Sequence, residues 1–339
     1  MAATTFGQTD DGTEVALATL SAGGVEIGII GYGAAIRSLD VDVGRGAHPR
    51  VLGLQTLDDY ICHSPSMGII AGRYANRIGG AAFPLDGRQV TLTPNEGATT
   101  QLHGGPQGFG KRVWTLADHG HDQATLTLVS AAGDQGFPGR VEASCHYSIP
   151  TDGVLRIALS ATTDAPTLVN LAAHSYFNLD GSETILDHLL EIPAETYTPI
   201  DALKIPTGEF ASVAGTPFDF RQSRRIRCEQ SGERVGYDHN FVVALEKSPE
   251  PRLHARVIGP LTGTELEVWS TEPGVQFYDG SGLDVPVVPL NRPAVGANAG
   301  LCLEPQFFPD TPNKPQFGSA ILRPGETYRQ VTEYRFRSV

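Results

Sequence analysis

Short runs of alternating apolar and polar residues constrain the fold of this chain more than any other feature of its sequence. Such runs occupy residues 124–129, 154–159 and 265–269. A period of two predicts β-strands with one face against a core and the other toward solvent. Turn-forming dipeptides, in which Gly accepts a left-handed backbone, mark tight hairpins along the chain. They are Asp11-Gly12, Asp86-Gly87, Asp152-Gly153, Asp180-Gly181 and Asp279-Gly280.

Helical patterns are weak in comparison, because no long window repeats its apolar residues every 3.6 positions. The segment from Leu57 to Ile61 predicts one helical turn at best. The 39 glycines and 24 prolines are spread throughout, as suits many strands joined by turns. No repeat, charge block or low-complexity linker marks a boundary. The sequence therefore predicts an all-β protein, a large antiparallel β-sandwich of two packed sheets, with residues 1–339 forming a single domain.

Charge and cysteine usage exclude several classes of partner. The formal net charge is −13 and the pI is near 5.2, so a phosphate backbone would be repelled and nucleic acid is not expected as a partner. Neither an 18-residue apolar window nor an N-terminal signal pattern is present, so no membrane association is expected. Four widely spaced cysteines without a C-x-x-C pair are typical of reduced thiols. These features predict a soluble, cytoplasmic protein.

A glycine-rich segment at residues 28–36 is briefly similar to a dinucleotide-binding loop. Its third position is Ile36, whereas close packing of a helix on that loop requires Gly or Ala. No helical pattern follows. We therefore interpret the segment as a strand followed by a bend.

Two polar clusters in the first third of the chain are candidate binding elements. Asn76 and Arg77 lie between glycines in residues 71–79, and His103 precedes two glycines in residues 101–105. Glycines let a ligand or backbone approach closely. Taken alone, each cluster is explained at least as well by an exposed turn or a solvated loop.

The remaining candidates lie in the second half of the chain. His174 is embedded in apolar and aromatic residues, where an imidazole can be tuned for proton transfer near neutral pH or can simply be a core side chain. Asp238 and Gln276 could bind hydroxyl groups or cap turns. Glu304 ends an apolar run, and partial burial would raise its pKa and make it a better base. An exposed edge-strand Glu is the alternative.

Taken together and in order, these segments closely resemble the aldose 1-epimerase (galactose mutarotase) family. The motifs run from about Gly72 to Tyr328 and include residues 309–315 and 322–328. The resemblance implies the galactose mutarotase-like supersandwich, with a monosaccharide held in an open cleft on one sheet. It also implies catalytic roles for His174 and Glu304. The implied substrate-binding residues are Asn76, Arg77, His103, Tyr176, Asp238 and Gln276.

Two stretches depart from the family pattern. Pro305 and Phe307 flank the Gln that follows the implied catalytic glutamate, and Asp279 stands in a segment where members commonly have Thr. Both stretches are expected beside the sugar, so they bear on substrate preference.

The implied reaction opens and recloses a hemiacetal, which requires an acid and a base near the anomeric carbon. We expect His174, protonated at rest, to act on the ring oxygen, and Glu304, ionised at rest, to act on the C1 hydroxyl from the opposite side of the ring. Each such group contributes roughly 10²–10⁴-fold to the rate. Neither a metal nor any other cofactor is expected.

Three rival functions are consistent with the same residues. A sugar-phosphate (hexose-6-phosphate) 1-epimerase would need extra cations, which Lys111, Arg112 and Arg73 could supply. A glycosidase would use Asp238 and Glu304 as paired carboxylates. A non-catalytic carbohydrate-binding protein would not need both His174 and Glu304. The sequence leaves open which aldose is preferred and whether the chain is a monomer or a homodimer.

Overall fold

The computed structural model describes residues 3–339, and in that range the chain is almost entirely strands and turns. The strands are β1 Thr4–Gln8, β2 Glu14–Ala22, β3 Val25–Ile30, β4 Ala35–Asp42, β5 Ala47–Pro49, β6 Ile70–Ala71, β7 Arg77–Ile78, β8 Ala82–Leu85, β9 Arg88–Thr91, β10 Gln101–Leu102, β11 Thr115–His119, β12 Gln123–Ser130, β13 Val141–Ser148, β14 Val154–Thr163, β15 Thr167–Leu168, β16 Ala172–Ala173, β17 Tyr176–Phe177, β18 Leu189–Glu191, β19 Thr196–Tyr197, β20 Ala211–Ser212, β21 Arg224–Arg225, β22 Glu229–Gln230, β23 Glu233–Arg234, β24 Asp238–Val242, β25 Arg252–Gly259, β26 Thr264–Ser270, β27 Gly274–Tyr278, β28 Leu301–Gln306, β29 Ile321–Leu322 and β30 Tyr328–Ser338. Short 3₁₀ helices occupy Gly79–Ala81, Phe109–Lys111, Asp134–Gly136, Thr311–Asn313 and Pro315–Phe317.

One layer of the fold is a nine-stranded antiparallel sheet with the order β11-β12-β13-β14-β30-β26-β25-β18-β21. β12 and β14 bury every second side chain, as Ala124, Leu126 and Leu128 of β12 show, whereas β26 buries nearly all of its residues. The alternation read from the sequence at residues 124–129, 154–159 and 265–269 is therefore confirmed as β12, β14 and β26. The C-terminal strand β30 lies in the middle of this sheet, between β14 and β26.

The opposite layer consists of two sheets. A five-stranded sheet has the order β1-β2-β3-β4-β5, and a six-stranded sheet has the order β17-β28-β27-β24-β19-β20. The main hydrophobic core takes side chains from all three large sheets, and Phe177 of β17 packs edge-on against Tyr334 of β30 at 5.0 Å between ring centroids. The antiparallel sandwich is confirmed. The division of one layer into two sheets was not anticipated.

The α-helix, α1, spans Leu57–His63 and is longer than the single turn predicted from the sequence. A capping box explains the difference, since Thr56 accepts a hydrogen bond from the Asp59 backbone and Asp59 accepts one from the Thr56 backbone. Two of its own residues, Leu57 and Tyr60, are buried. Local capping and tertiary burial therefore extend a segment whose apolar periodicity is weak.

The predicted tight hairpins are confirmed at Asp11-Gly12, Asp86-Gly87 and Asp152-Gly153, which join paired neighbouring strands. The prediction is wrong at Asp180-Gly181 and Asp279-Gly280, because these dipeptides lie in longer connections between strands. The glycines of the five Asp-Gly dipeptides all have positive φ. Residues 28–36 form the end of β3, a tight bend and the start of β4, which confirms a strand and bend rather than a nucleotide-binding loop. Within residues 3–339, no helix is both long and apolar enough to cross a bilayer. All four cysteines are free.

Candidate active site

The six-stranded sheet presents polar side chains on the face turned away from the main core. In β28, Leu301 and Leu303 belong to that core, and the alternate residue Glu304 points to the other face. The same alternation in β27 places Gln276 beside Glu304, because the two residues are direct cross-strand partners. Asp238 begins the next strand, β24. A period-two pattern thus gathers these groups on one face.

A cavity of about 250 Å³ lies against this polar face. Seven of the eight site residues predicted from the sequence line it: Asn76, Arg77, His103, His174, Tyr176, Asp238 and Glu304. The other lining residues were not predicted: Pro65, Ser66, Leu102, Lys204 and Tyr278. The fold therefore brings together groups that are more than two hundred residues apart in sequence, such as Asn76 and Glu304, in a space large enough for one monosaccharide.

His174 and Glu304 are in close proximity in the wall of this cavity. His174 Nε2 lies 3.6 Å from Glu304 Oε1, and both side chains are almost fully buried. The other ring nitrogen of His174, Nδ1, lies 3.6 Å from Cys302 Sγ. Glu304 Oε2 has no hydrogen-bond partner among the described residues. The expectation that the two groups flank the sugar ring is wrong, because a gap of 3.6 Å leaves no room for a ring between them.

Burial shifts both pKa values away from the charge states expected from the sequence. Loss of hydration lowers the pKa of His174 to about 4. Burial, reinforced by the negative charge of Asp238, raises the pKa of Glu304 well above its usual range, although Arg77 opposes this shift. Both shifts disfavour the ion pair that was expected, and a proton shared by the two groups lies preferentially on the carboxyl.

Asp238 is held by three neighbours. Gln276 Nε2 donates to Asp238 Oδ1 at 2.7 Å, and Lys204 Nζ donates to Oδ2 at 2.8 Å. Arg77 Nη1 lies 3.7 Å from the same Oδ2. Burial alone would raise the pKa of Asp238, but the positive charges of Arg77 and Lys204 and these hydrogen bonds lower it. Asp238 is therefore an ionised acceptor at neutral pH.

Arg77 is fixed on its other side by Glu96. Its Nε and Nη2 donate to the two Glu96 oxygens at 2.6 and 2.8 Å. A bidentate pair of this kind fixes the guanidinium plane. The third guanidinium nitrogen, Nη1, is directed toward Asp238 and the cavity.

Asn76 and His103 are held in a backbone conformation that most residues avoid. Their φ angles are +63° and +52°. The backbone N–H of Asn76 donates to His103 Nδ1 at 3.1 Å, so the neutral ring carries its proton on Nε2. His103 is thus a hydrogen-bond donor, and burial together with the charges of His174 and Arg77 lowers its pKa well below the usual range.

His103, His174 and Glu304 also meet the distance requirement of a metal site, since one donor atom from each lies within 4.8 Å of the others. The chemistry of His103 opposes that use. Its Nδ1 lone pair accepts the Asn76 N–H, and its Nε2 carries the proton. A metal would have to break this hydrogen bond and reverse the tautomer, so the donor set does not fit zinc in its present arrangement.

The side chains of Gln276 and Tyr176 both form hydrogen bonds to other protein groups. Gln276 does not line the cavity but lies behind Asp238, which it holds. Tyr176 donates its hydroxyl proton to the Pro65 carbonyl at 3.0 Å and packs its ring 5.2 Å from the ring of His174. Their sugar contacts stay predictions.

The family departures lie outside the cavity lining. Asp279 is fully buried in an ion pair with Arg234, and Pro305 and Phe307 do not reach the cavity. The positions that were expected to bear on substrate preference therefore do not line this cavity. Lys204 does so instead, although its surrounding sequence, Leu203-Lys204-Ile205, carries no pattern that distinguishes a site residue from an exposed lysine.

Comparison with other proteins adds sequence and fold relationships to this geometry. The family model described as aldose 1-epimerase matches residues 16–335. The aldose 1-epimerase of Escherichia coli (strain K12) is 37% identical over 341 residues, covering 96% of this chain and 96% of that protein. The galactose mutarotase of Homo sapiens is 39% identical over 318 residues, covering 92% of this chain and 91% of that protein.

Solved structures resemble the chain over its whole length. The structure of an aldose epimerase homologue from C. elegans has a TM-score of 0.89 at 32% identity, and the match covers 96% of this chain and 99% of that one. A galactose 1-epimerase from Lactobacillus acidophilus NCFM shares the fold with a TM-score of 0.85 at 24% identity, covering 99% and 98% of the two chains.

Proposed function

This chain belongs to the aldose 1-epimerase family, and on that premise we propose that His174 and Glu304 move the protons as it interconverts the α and β anomers of a free aldose. The observation that carries the proposal is the 3.6 Å approach of His174 Nε2 to Glu304 Oε1 in the cavity wall. The ring oxygen and the C1 hydroxyl are bonded to the same carbon. Two adjacent groups can therefore reach both oxygens from one side of the sugar.

The pair holds one proton, and its position sets the two roles. In the empty site burial favours that proton on Glu304. A bound sugar changes the balance, because its C1 hydroxyl can donate to the Glu304 carboxylate, which lines the cavity, and hydrogen bonds to a carboxylate stabilise its charged form. The proton then passes to His174, which becomes the acid while Glu304 becomes the base.

Ring opening follows from this arrangement. His174 gives its Nε2 proton to the ring oxygen as the bond between that oxygen and C1 breaks. Glu304 takes the proton of the C1 hydroxyl, and C1 becomes an aldehyde. Rotation about the C1–C2 bond exposes the other face of the aldehyde. The reverse transfers then close the ring, and both side chains return to their starting states, so that no net proton is consumed.

The remaining polar groups are assigned to substrate binding. His103 Nε2–H and Arg77 would donate to sugar oxygens, and Asp238 would accept from hydroxyl groups. Asn76 lies beside them in the lining. Buried polar partners give selectivity, because a sugar lacking one hydroxyl leaves its partner without a hydrogen bond.

Polarimetry on freshly dissolved α-glucose, α-galactose and α-xylose tests the function directly. We expect the purified protein to accelerate the approach to anomeric equilibrium for at least one of them, after subtraction of the buffer-catalysed rate. Galactose is our first choice, because several relatives are named galactose mutarotases. An unchanged rate for all three sugars would contradict the proposal.

Sugar phosphates are a weaker alternative for this cavity. Arg73 is buried and donates to the Ser130 hydroxyl and to backbone carbonyls, and Arg112 pairs with Asp134. Lys111 lines a neighbouring cavity. The three cations that the sequence suggested for phosphate binding are therefore occupied by other partners or lie outside the lining of this cavity.

We also propose that turnover requires no metal, since the His103 tautomer leaves the potential ligand set incomplete. Dialysis against EDTA is expected to leave kcat and KM unchanged. Loss of turnover that a divalent ion restores would contradict this.

A cytoplasmic location and a monomeric or homodimeric state complete the proposal. Four free thiols are consistent with a reducing compartment. Light scattering coupled to gel filtration would measure the mass of the particle, and a trimer or larger assembly would contradict the second part.

A further inference from the structure

Lys204 contributes a positive charge to the cavity from a loop, not from a strand of the six-stranded sheet. It lies in the loop between β19 and β20, and its Nζ donates to Asp238 Oδ2 at 2.8 Å. About half of the Lys204 side chain is exposed, whereas Asp238 is mostly buried. Lys204 therefore reaches the mostly buried Asp238 carboxylate from a more exposed position, in a loop beside the sheet that carries Asp238 and Glu304.

The turn that carries Lys204 is tightly organised. The Asp201 Oδ1 atom accepts hydrogen bonds from the backbone N–H groups of Leu203 and Ile205 at 2.8 and 3.0 Å. The Lys204 N–H donates to the Asp201 carbonyl, and Lys204 itself has a φ of +60°. Because the backbone of this turn is already ordered, less conformational freedom is lost when the Lys204 ammonium binds a ligand.

The hydrogen bonds around Asp238 leave a defined place for a ligand. One oxygen is bound by Gln276, and the other is bound by Lys204 and approached by Arg77. The Lys204 ammonium has three N–H donors and uses one on Asp238. It can therefore donate to a sugar hydroxyl while it holds the carboxylate that accepts from a hydroxyl.

We propose that Lys204 is a sugar-binding and positioning residue that, together with Asp238, recognises one part of the sugar away from the anomeric carbon. The inference rests on the proposed function, since it names a further specificity determinant of the same site. Lys204 orients the Asp238 carboxylate and donates a second N–H to the same or an adjacent sugar hydroxyl. It takes no part in moving protons at C1, a role that belongs to His174 and Glu304.

The test compares Lys204→Met with Lys204→Arg and with the control Lys111→Met. Methionine keeps an unbranched apolar stem and removes the charge, and arginine keeps the charge and the donors. Lys111 is an exposed lysine that lines the neighbouring cavity and not this one. The control variant thus makes the same chemical change nearby without touching Asp238.

We expect Lys204→Met to raise KM by about tenfold, the effect of losing one hydrogen bond to a charged group. Its kcat should stay within about twofold of wild type, because uniform binding is lost and proton transfer is not. Lys204→Arg should recover most of the loss, and Lys111→Met should match wild type. Circular dichroism of each variant checks that the fold is retained.

A series of monodeoxy sugars then identifies the contact. For the analogue that lacks the hydroxyl bound by Lys204, the difference in KM between wild type and Lys204→Met should shrink to the part that comes from orienting Asp238. For every other analogue the tenfold difference should persist. A variant that merely disturbs the turn would lose affinity equally for all analogues, so the pattern separates binding from structure.

Each contrary result overturns the inference. An unchanged KM in Lys204→Met shows that the ammonium does not bind sugar, and an equal loss in Lys204→Arg or across all deoxy sugars assigns Lys204 a structural role. A fall in kcat alone would move Lys204 into proton transfer, which contradicts the assignment. Failure of the proposed function is a different outcome, since wild type would then turn over none of the aldoses.

Discussion

The chemistry of the two candidate catalytic residues depends on where the fold places them. In water the usual pKa of a histidine lies above that of a glutamate, so a single proton shared by an exposed pair lies on the imidazole. In this cavity burial disfavours both charges, so the proton moves from the imidazole to the carboxyl. A single proton held between two buried groups is well suited to a reaction in which acid and base exchange roles at every turnover.

At this scale the first prediction concerns Glu304→Gln and His174→Asn. Glutamine keeps the shape of glutamate but cannot accept the C1 proton as a base, and asparagine cannot replace an imidazole in proton transfer. We expect each to lower kcat by at least about a hundredfold, the lower range for one positioned proton-transfer group. Polarimetry with the buffer rate subtracted measures the effect.

Matched controls make the same chemical changes away from the cavity. Glu267→Gln and His146→Asn lie on β26 and β13 of the nine-stranded sheet. Both should retain wild-type kcat. If Glu304→Gln or His174→Asn turned over near the wild-type rate, the acid–base assignment would fail.

The second prediction is a bell-shaped dependence of kcat/KM on pH. The active pair holds one proton, so activity falls when a second proton binds and when the only proton leaves. Because the pKa of His174 is lowered to about 4, the acid limb should lie near that value. The alkaline limb should lie well above the usual range of a carboxyl, because burial raises the pKa of Glu304.

The pH dependence of the residual kcat/KM in Glu304→Gln and His174→Asn shows which residue causes each limb of the profile. Glu304→Gln should lose the alkaline limb, and His174→Asn should lose the acid limb. An alkaline limb that persists in Glu304→Gln would assign it to another group.

At the residue scale, the sequence could predict which side chains belong to the site, but not their contacts or their protonation. Seven predicted residues line one cavity, and the order of their motifs along the chain was enough to single them out. The sequence could not reveal the 3.6 Å contact of His174 with Glu304, since the two residues are distant in the chain. Lys204 was missed for the same reason, because only the folded loop brings its ammonium to Asp238.

At the scale of secondary structure, strands were predictable and their partners were not. The alternation of apolar and polar residues identified β12, β14 and β26, since it is a local property of each segment of sequence. The division of one layer into five-stranded and six-stranded sheets depends on pairings between distant segments. The same limit applies to α1, whose length is set by a capping box and by burial against neighbouring segments.

The loop that carries His103 gives a prediction at this scale. Gly104 has a φ of +84°, and a Cβ placed on it would lie 2.0 Å from the Gly72 carbonyl oxygen. Gly104→Ala should therefore push the loop away from the Gly72 backbone and displace His103. We expect a loss of about 1–3 kcal/mol in the free energy of unfolding, as for an overpacked core position, together with a raised KM. Urea denaturation and polarimetry measure the two effects.

Gly87→Ala is the matched control. Gly87 also has a positive φ, but its Cβ would meet nothing within 4 Å. It carries the backbone strain without the clash and lies in the hairpin between β8 and β9, so KM should not change. Equal effects of the two substitutions on KM would show that the close approach at Gly104 does not position His103.

At the scale of the whole molecule, the single domain that the sequence predicts stays a prediction, and the contacts between distant segments suggest how to test it. The main core joins residues from Ala18 to Phe336. Strand β30, at the end of the chain, completes the nine-stranded sheet between β14 and β26. Any cut in the middle of the chain would separate strands that share a sheet and side chains that share a core. We therefore propose that the two halves of the sequence depend on each other for folding.

The last prediction follows from this dependence: unfolding should occur in one cooperative transition. Trp114 lies in the first half of the chain and Trp269 in the second, and they are its two tryptophans. In Trp114→Phe and Trp269→Phe the remaining tryptophan reports on one half alone. We expect each variant's fluorescence transition in urea to coincide with its own circular dichroism transition, as two-state unfolding requires. If fluorescence and circular dichroism gave separate midpoints within one variant, the halves would unfold independently and the chain would contain more than one domain.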